Sequence, residues 1–307
     1  MMAQSKLEKT GLLTAVQRFS LNDGPGIRTT VFFKGCNLKC AWCHNPETIS
    51  FDNELMVYPE RCIGCGHCVE VCPVGAHFRA DAGVRFDRSR CVVCGKCAEI
   101  CFPGAMSMAA RKWTVDQTMA EIRQDIDYYR DSGGGVTLSG GEAFCQLEFA
   151  DALTDACRAE GIPVAVETNL NWEFEAIRPV LAKMSLVMFD VKLADAEEHR
   201  HWTGVDNGRI LANLGKLDSL GIPLIARTPL IPGATDTREN ISAIVRQIAP
   251  LRNLVRYELL NFNPLGASKY RALHQDDCFT QVHPLDKDRL ATLVAIASTS
   301  GIAVMVG

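Results

Sequence analysis

The sequence of 307 residues has no long apolar run and no excess of positive charge. Its apolar stretches are shorter than a bilayer crossing requires, and residues 1–19 lack the apolar run of a signal peptide. A formal net charge of -4 provides no basic field for nucleic acid or for an anionic membrane surface. We therefore expect a soluble, cytoplasmic protein with no nucleic-acid or membrane partner.

Cysteine, in contrast, is abundant. The chain has 14 cysteines, and eleven of them lie between Cys36 and Cys101. Without an export signal, these thiols are expected to stay reduced, which argues against a disulfide framework. Clustered thiols in a reducing compartment indicate metal ligands.

The first group of cysteines is a triplet in KGCNLKCAWCHNPE (34–47). Cys36, Cys40 and Cys43 have the spacing C-x3-C-x2-C. Three cysteines leave one position open on a four-iron cluster, and an open position is what a catalytic metal keeps. The alternative is a zinc site completed by His44. Because His44 directly follows Cys43, it cannot easily reach the same metal, and we interpret it as a hydrogen-bonding neighbour.

The other two groups are one motif written twice, CIGCGHCVEVCP and CVVCGKCAEICFP, each with the spacing C-x2-C-x2-C-x3-C. This doubled motif is typical of bacterial two-cluster ferredoxins, and zinc knuckles are the alternative. It predicts a ferredoxin-like insert at 58–106, which divides the remaining chain into 1–57 and 107–307. In such pairs the fourth cysteine of one run binds the other cluster. The predicted ligand sets are Cys62, Cys65, Cys68 and Cys101 for one cluster, and Cys91, Cys94, Cys97 and Cys72 for the other.

Outside the insert, strand patterns alternate with helix patterns, which predicts parallel strands covered by helices. Thr114 and Gln117 form a capping-box pattern at the start of one helix. Periodicity alone does not separate an open sheet from a closed or partial barrel. The predicted strands are 27–35, 136–141, 163–168, 185–193, 222–230 and 254–262, with a short one at 302–306. The predicted helices are 114–129, 146–161, 208–221, 237–249 and 286–299.

Unusual residues follow each predicted strand. In β/α folds, chemistry gathers in the loops at the carboxyl ends of the strands, so these segments are expected to converge on one rim. The segments contain, in strand order, the cysteine triplet, 139–142, 167–169, Asp190 with Lys192, Arg227, and 261–266.

The cysteine triplet, with Trp42 before its third cysteine and a later Gly-Gly-Glu, resembles the radical S-adenosylmethionine (SAM) enzymes. The longer segment DGPGIRTTVFFKGCNLKCAWCHNPE (23–47) resembles the activating enzymes of glycyl radical enzymes. The doubled ferredoxin motif is similar to their larger subclass, and the resemblance covers most of the chain. It implies an α/β fold, a partial (β/α)6 TIM-type barrel with an inserted bacterial ferredoxin-like domain.

The resemblance also implies cofactors, a reaction and partners. It implies three [4Fe-4S] clusters, one of which binds SAM through its open iron and cleaves it to a radical that removes a hydrogen from a glycine. The partners would be a glycyl radical enzyme, and a flavodoxin or ferredoxin as reductant, with a monomeric activating enzyme in an anaerobic setting. Clients in this subclass act on choline, glycerol or diols, isethionate, hydroxyproline or aromatic acids.

Several SAM contacts are implied. Gly140 and Gly141 would let backbone approach the methionine part, and Glu142 would accept from its ammonium group. Lys192 would pair with its carboxylate, and Trp42 would lie near the adenine. Taken without the resemblance, Gly-Gly-Glu is also a common turn.

Further residues are assigned near SAM on the same grounds. Asp190, Glu167, Thr168 and the Met188 carbonyl resemble a site for a monovalent cation. Arg227 is a candidate for the SAM carboxylate or the partner loop. Asp190 and Lys192 alone would also fit a solvated strand end.

Asp23 and Arg28 are assigned either to the entrance for the glycyl loop or to a structural ion pair. Asn263 stands where many relatives have histidine, so no proton transfer is expected there. Cys145, Cys157 and Cys278 match no ligand pattern and are interpreted as ordinary thiols.

Two alternative functions fit the same motifs. One is a radical SAM enzyme acting on a small molecule or a different macromolecule. The other is an electron-transfer iron–sulfur protein.

Overall fold

The computed structural model describes residues 8–81 and 83–307, which contain thirteen strands and eleven α-helices. The strands are β1 (Thr10–Ser20), β2 (Arg28–Phe33), β3 (Leu55–Val57), β4 (His77–Ala80), β5 (Gly83–Phe86), β6 (Met106–Met108), β7 (Arg111–Thr114), β8 (Gly135–Gly140), β9 (Val164–Thr168), β10 (Leu186–Asp190), β11 (Leu224–Leu230), β12 (Leu254–Asn261) and β13 (Val304–Val306). The helices are α1 (His67–Val71), α2 (Lys96–Ile100), α3 (Val115–Ile122), α4 (Ile126–Ser132), α5 (Leu147–Ala159), α6 (Phe174–Leu181), α7 (Ala196–Thr203), α8 (Gly208–Asp218), α9 (Arg238–Ile248), α10 (Ala267–Leu273) and α11 (Lys287–Ser298).

One nine-stranded sheet has the order β13-β12-β11-β10-β9-β8-β2-β1-β7. Strands β2 and β8 to β13 are parallel, which confirms the six predicted strands and the short one at the end of the chain. Within the described chain β13 and β7 lie at opposite ends of this order, so the sheet is an open, partial barrel. Strands β1 and β7 were not predicted; they add an antiparallel edge next to β2.

The parallel strands are rich in apolar residues because both of their faces are covered. On one face, residues such as Val166, Val187 and Ala226 join the main core with the helices. On the other, Ala165, Met188 and other residues of β9 to β11 form a smaller apolar cluster beneath the rim. No helix in the described chain is long and apolar enough to span a membrane.

The predicted capping box is confirmed at the start of α3, where the Thr114 side chain and Gln117 bond each other's backbone. The predicted helix 114–129 is interrupted, however. A 3-10 turn at Arg123–Asp125 separates α3 from α4, which ends at Gly133 with a left-handed φ of 69°. Asp125 causes this break because it accepts bonds from Arg18 and Thr29 of the sheet.

The segment 58–106 lies between β3 and β6, which pair antiparallel and bring its two ends together. Within it, α1 and α2 each follow a left-handed glycine, Gly66 or Gly95, so the repeated sequence gives a repeated structure. The hairpin β4–β5 covers one side. The cysteines dominate its small core, since Cys68 and Cys97 are its buried residues along with Leu55, Val57 and Met106.

Candidate active site and cluster-binding sites

Two adjoining cavities lie at the carboxyl ends of the parallel strands. The smaller one has about 140 Å³ and contains the cysteine triplet. The larger one has about 640 Å³ and extends past Trp42 to the end of β13. The predicted convergence of separate segments on one rim is therefore seen. The residues that line both cavities are Cys40, Cys43, Glu167, Asp190 and Lys192.

The triplet lies on a loop that backbone hydrogen bonds hold from two sides. Cys36 N donates to Ile49 O at 3.1 Å, and Ala41 N donates to Trp202 O at 3.0 Å at the end of α7. Burial raises the pKa of the Cys43 thiol to about 12 and also raises the pKa of Cys36 and Cys40. Buried thiols of this kind ionise only when a metal centre takes the place of the proton.

The zinc alternative would add His44 to the triplet. Nowhere in 8–81 and 83–307 do three His, Cys, Asp or Glu side chains come together to hold a single metal ion. The His44 ring lies 6.1 Å from the Phe262 ring, centroid to centroid, and also lines the larger cavity.

Gly140 and Gly141 line the smaller cavity, and packing of the protein itself requires them to be glycine. A Cβ on Gly140 would come within 2.3 Å of Phe33 N, and one on Gly141 within 2.4 Å of Gly35 O. Gly140 also has a φ of 109°. The end of β8 therefore approaches the end of β2 closely, and this approach brings backbone to the cavity wall.

Glu142 lies behind that wall, with 1% of its surface exposed. Its carboxylate accepts from Thr168 Oγ1 at 3.0 Å, from Asn169 N at 2.9 Å and from Phe144 N at 3.4 Å. Burial raises its pKa to about 7, and these bonds oppose that rise. It lines neither rim cavity, and its bonds hold the end of β9 in place, so the predicted contact with a ligand ammonium stays a prediction.

Lys192 and Asp190 form an ion pair at the end of β10, with 2.5 Å between Lys192 Nζ and Asp190 Oδ2. Only 11% of the lysine side chain is exposed, so this is no solvated strand end. The carboxylate raises the pKa of Lys192 above its usual range despite burial. The ammonium group therefore faces both cavities as a permanent positive charge.

Arg227 lies in the middle of β11, between two carboxylates. It donates through Nη1 to Glu167 and through Nε to Glu258 at 2.6 Å. These two carboxylates raise its pKa against the effect of burial. Glu258 also binds Arg256, at 2.6 Å from Nε, and Glu167 accepts from Ser139. Arg227 is thus the centre of an ion-pair network.

The ion-pair alternative for Asp23 and Arg28 is not seen in the described chain, and their role at the entrance for the glycyl loop stays a prediction. Arg28 donates to Thr137 Oγ1 at 2.5 Å and to the carbonyls of Val136 and Pro25. Asp23 accepts from Thr30 Oγ1 at 2.7 Å and lines the larger cavity. Burial lowers the pKa of Arg28 to about 10.

Trp42 and Asn263 both lie at the larger cavity. Trp42 packs among apolar residues with its ring centroid 6.0 Å from that of Trp202. Asn263 caps the turn Pro264–Gly266, because its side chain accepts from Leu265 N at 3.0 Å.

The insert contains two further cavities, and they divide its cysteines into two groups of four. The cysteines that line each cavity are those of one predicted ligand set, which includes the fourth cysteine of the other run. One cavity contains Cys62, Cys65, Cys68 and Cys101, and the other contains Cys91, Cys94, Cys97 and Cys72.

Sequence reasoning missed some rim residues. Arg256 and Glu258 complete the network. Asn169 lies in the predicted segment 167–169, but the distance of 3.9 Å between its Nδ2 and Cys36 Sγ was not predicted. Charges two positions apart in the otherwise apolar LVRYELL were an available signal, because they share one face of a strand. Of the remaining cysteines, Cys157 lies in the core and Cys278 is exposed.

Comparisons with known proteins place these features in context. The chain matches the radical SAM superfamily over residues 30–244. It is 38% identical over 308 residues to the benzylsuccinate synthase activating enzyme of Thauera aromatica, covering 97% of this chain and 93% of that one. It is 41% identical over 296 residues to the isethionate sulfite-lyase activating enzyme of Oleidesulfovibrio alaskensis, covering 94% and 95%. A radical SAM methyltransferase from Sphaerobacter thermophilus shares the fold, with a TM-score of 0.54 at 14% identity over 96% of this chain and 76% of that one.

Proposed function

This chain belongs to the radical SAM superfamily and, within it, to the activating enzymes of glycyl radical enzymes, and we propose that it installs a glycyl radical in a lyase or dehydratase partner. The observation that carries the proposal is the contrast between its cysteine groups. Two groups supply four cysteines each, whereas the triplet at the rim supplies three and adjoins a cavity of about 640 Å³.

We propose that the chain holds three [4Fe-4S] clusters. Cys36, Cys40 and Cys43 would hold the first at the rim, and the two groups of four in the insert would hold the others. The fit rests on buried thiols with raised pKa values at the rim and on the two separate linings in the insert. When bound, the rim cluster and SAM supply one-electron cleavage of a carbon–sulfur bond and thereby hydrogen abstraction.

The protein's own contribution is to bind and orient SAM. The backbone of 140–141 and the Lys192 ammonium face the smaller cavity, where the amine and carboxylate of SAM would lie. Trp42 forms part of the wall of the larger cavity, which has room for the adenosine part and for a glycine loop. Arg227 would act by positioning Glu167, because its guanidinium is bound to two carboxylates.

The predicted cation beside SAM stays a prediction. Of its four proposed ligands, Asp190 is paired with Lys192 and Glu167 with Arg227. Both carboxylates therefore have protein cations already, and a monovalent metal ion would have to compete with them.

We further propose that a flavodoxin or ferredoxin delivers electrons at the insert and that the enzyme is a monomer. Ile63 and Phe102 flank cysteines of the first insert group and are 69% and 99% exposed. Exposed apolar residues next to a redox centre fit brief docking of an electron carrier.

The experiment is anaerobic reconstitution followed by iron analysis and incubation with SAM, reductant and the glycyl radical enzyme. We expect about twelve irons per chain from three clusters, release of 5′-deoxyadenosine, and a glycine-centred radical in electron paramagnetic resonance (EPR) spectra. Cleavage of SAM without a radical on the partner would favour a small-molecule substrate instead.

Two cysteine variants assign the clusters. Cys40→Ala is expected to abolish SAM cleavage and to leave about eight irons. Cys65→Ala is expected to lower the iron content of the insert but to spare the rim cluster. Surviving cleavage in the first variant, or full iron content in the second, would contradict the assignment.

A further inference from the structure

His77 has a buried ring with no hydrogen-bond partner. It is 2% exposed, and neither Nδ1 nor Nε2 is bonded to any group in the described part of the chain. Such orphans are rare, because an unpaired polar atom in the interior costs about 1 to 3 kcal/mol. The ring therefore indicates a partner that the polypeptide does not supply.

The cavity beside His77 shows where that partner lies. His77 lines the insert cavity that also contains Cys91, Cys94, Cys97 and Cys72. Its ring stacks on Phe86 across the β4–β5 hairpin, with 4.8 Å between centroids and 28° between planes. Because the stack covers a face of the ring, the nitrogens at its edge are left for a group in the plane of the ring.

The internal repeat provides a comparison within the molecule. The segment CPVGAH ends at His77 five positions after Cys72, and CFPGAM ends at Met106 five positions after Cys101. Met106 is also buried and lines the other insert cavity. The same place in the two halves thus holds a hydrogen-bond donor in one and an apolar side chain in the other.

We propose that His77 donates a ring N–H to a sulfur of the cluster held by Cys91, Cys94, Cys97 and Cys72, and thereby raises its reduction potential. This inference rests on the proposed cluster content of the insert. Reduction adds negative charge to a cluster, and hydrogen bonds to its sulfurs favour the reduced form. A neutral imidazole always carries one N–H, so the orphan ring has the donor that this role requires.

The consequence is that the two insert clusters are not equivalent. His77 acts as a positioning residue that sets a redox property, since it touches no substrate. The backbone already provides two donors to this cluster, because Ala76 N lies 3.1 Å from Cys72 Sγ and Val93 N lies 3.4 Å from Cys91 Sγ. The His77 ring adds a side-chain donor, which has no counterpart at Met106.

The test is an anaerobic redox titration of the reconstituted full chain, with the reduced clusters followed by EPR. His77→Met copies the other half of the repeat and is expected to lower the potential of one insert cluster only. The expected change is about tenfold in the equilibrium constant for reduction, or about 59 mV for one electron. His77→Gln keeps an N–H donor and is expected to retain most of the potential. Met106→His is the reciprocal variant and is expected to raise the potential of the other cluster.

The outcomes separate this inference from the proposed function. Full iron content with unchanged potentials in His77→Met would overturn the inference, as would an equal shift in His77→Gln. If His77→Met loses a cluster, its potential cannot be compared, and the other two variants provide the test. The potential in His77→Gln should then stay close to that of the wild type, and Met106→His should raise the potential of the other cluster; an unchanged potential in Met106→His would overturn the inference. A wild-type protein with fewer than about eight irons would instead contradict the insert clusters themselves.

Discussion

Replacing Arg227 with methionine is expected to destabilise the barrel, because it removes the cation that lies between two carboxylates. Arg227 donates to Glu167 and to Glu258, and only 7% of its side chain is exposed. Methionine fills part of the space but neutralises neither partner. The size of the loss in stability depends on the partners that each carboxylate retains in the variant.

The two carboxylates differ in what remains to them. Glu258 keeps Arg256, whose Nη2 lies 2.5 Å from its Oε1, so it stays paired. Glu167 keeps only the Ser139 hydroxyl. Removing one partner of a buried ion pair costs about 3 to 5 kcal/mol. Only Glu167 loses its ion-pair partner, and 24% of its side chain is exposed at the cavity. We therefore expect the free energy of unfolding to fall by about 3 kcal/mol.

The loss is expected to depend on pH. Burial raises the pKa of Glu167, and Arg227 opposes that rise. Without the arginine, the folded protein binds a proton at Glu167 more tightly than the unfolded chain does. Stability of the variant is therefore greatest below the ordinary carboxyl pKa and falls as the pH rises through the raised value. The difference in the free energy of unfolding between wild type and variant should be largest near pH 8 and become smaller as the pH is lowered.

The measurement is urea unfolding followed by tryptophan fluorescence under anaerobic conditions. All four tryptophans lie outside 58–106, so the signal reports on the barrel. The double variant Arg227→Met with Glu167→Gln serves as the control and should recover most of the loss. A deficit of less than about 1 kcal/mol at pH 8 would refute the reasoning. A weaker SAM affinity at full stability would show that Arg227 contacts the ligand.

Three further predictions concern the walls of the rim. Lys34→Met should lower the free energy of unfolding in urea by about 2 kcal/mol, because the buried Lys34 Nζ donates to a backbone carbonyl at 2.7 Å and to Glu54 at 3.0 Å. The control Glu54→Gln keeps an acceptor and should lower it by less. Gly141→Ala should destabilise by more than about 2 kcal/mol, since its Cβ would meet backbone at Gly35, and unchanged stability would contradict the packing argument. In the wild type, the free energy of unfolding should decline from pH 4.5 to about 7, because burial raises the pKa of Glu142 and the folded state holds its proton more tightly. Glu142→Gln should remove this decline, and an unchanged dependence of stability on pH would contradict the argument.

The parallel part of the fold was predictable because each central strand is buried on both faces. Segments such as SLVMFDVKL are apolar throughout, and the polar residues that end them mark the rim. Strand β1 offered no such pattern. Only its first half packs in the core, around Leu13, and its polar second half is held by pairing with β2. Because β1 lies between β2 and β7, antiparallel pairing rather than burial holds it in the sheet, and such pairing leaves little trace in the sequence.

The positions of the rim residues were predictable, but their pairings were not. Strand order brings Glu167, Arg227 and Glu258 to one edge, yet the side chain that neutralises each charge depends on register and rotamer. Glu142 shows the same limit. The resemblance implied a contact of Glu142 with SAM, which stays a prediction, whereas its bonds to the end of β9 had no signal in the sequence.

These pairings decide which cation can serve a bound carboxylate. To reach a ligand, Arg227 would have to release Glu167 or Glu258 inside the protein and leave a charge without a partner. Lys192 would release Asp190 alone, and 31% of that side chain is exposed. A partly exposed carboxylate loses less on separation than a buried one, because water can take the place of the ammonium group. We therefore expect Lys192 to turn to the carboxylate of SAM and Arg227 to keep its two carboxylates.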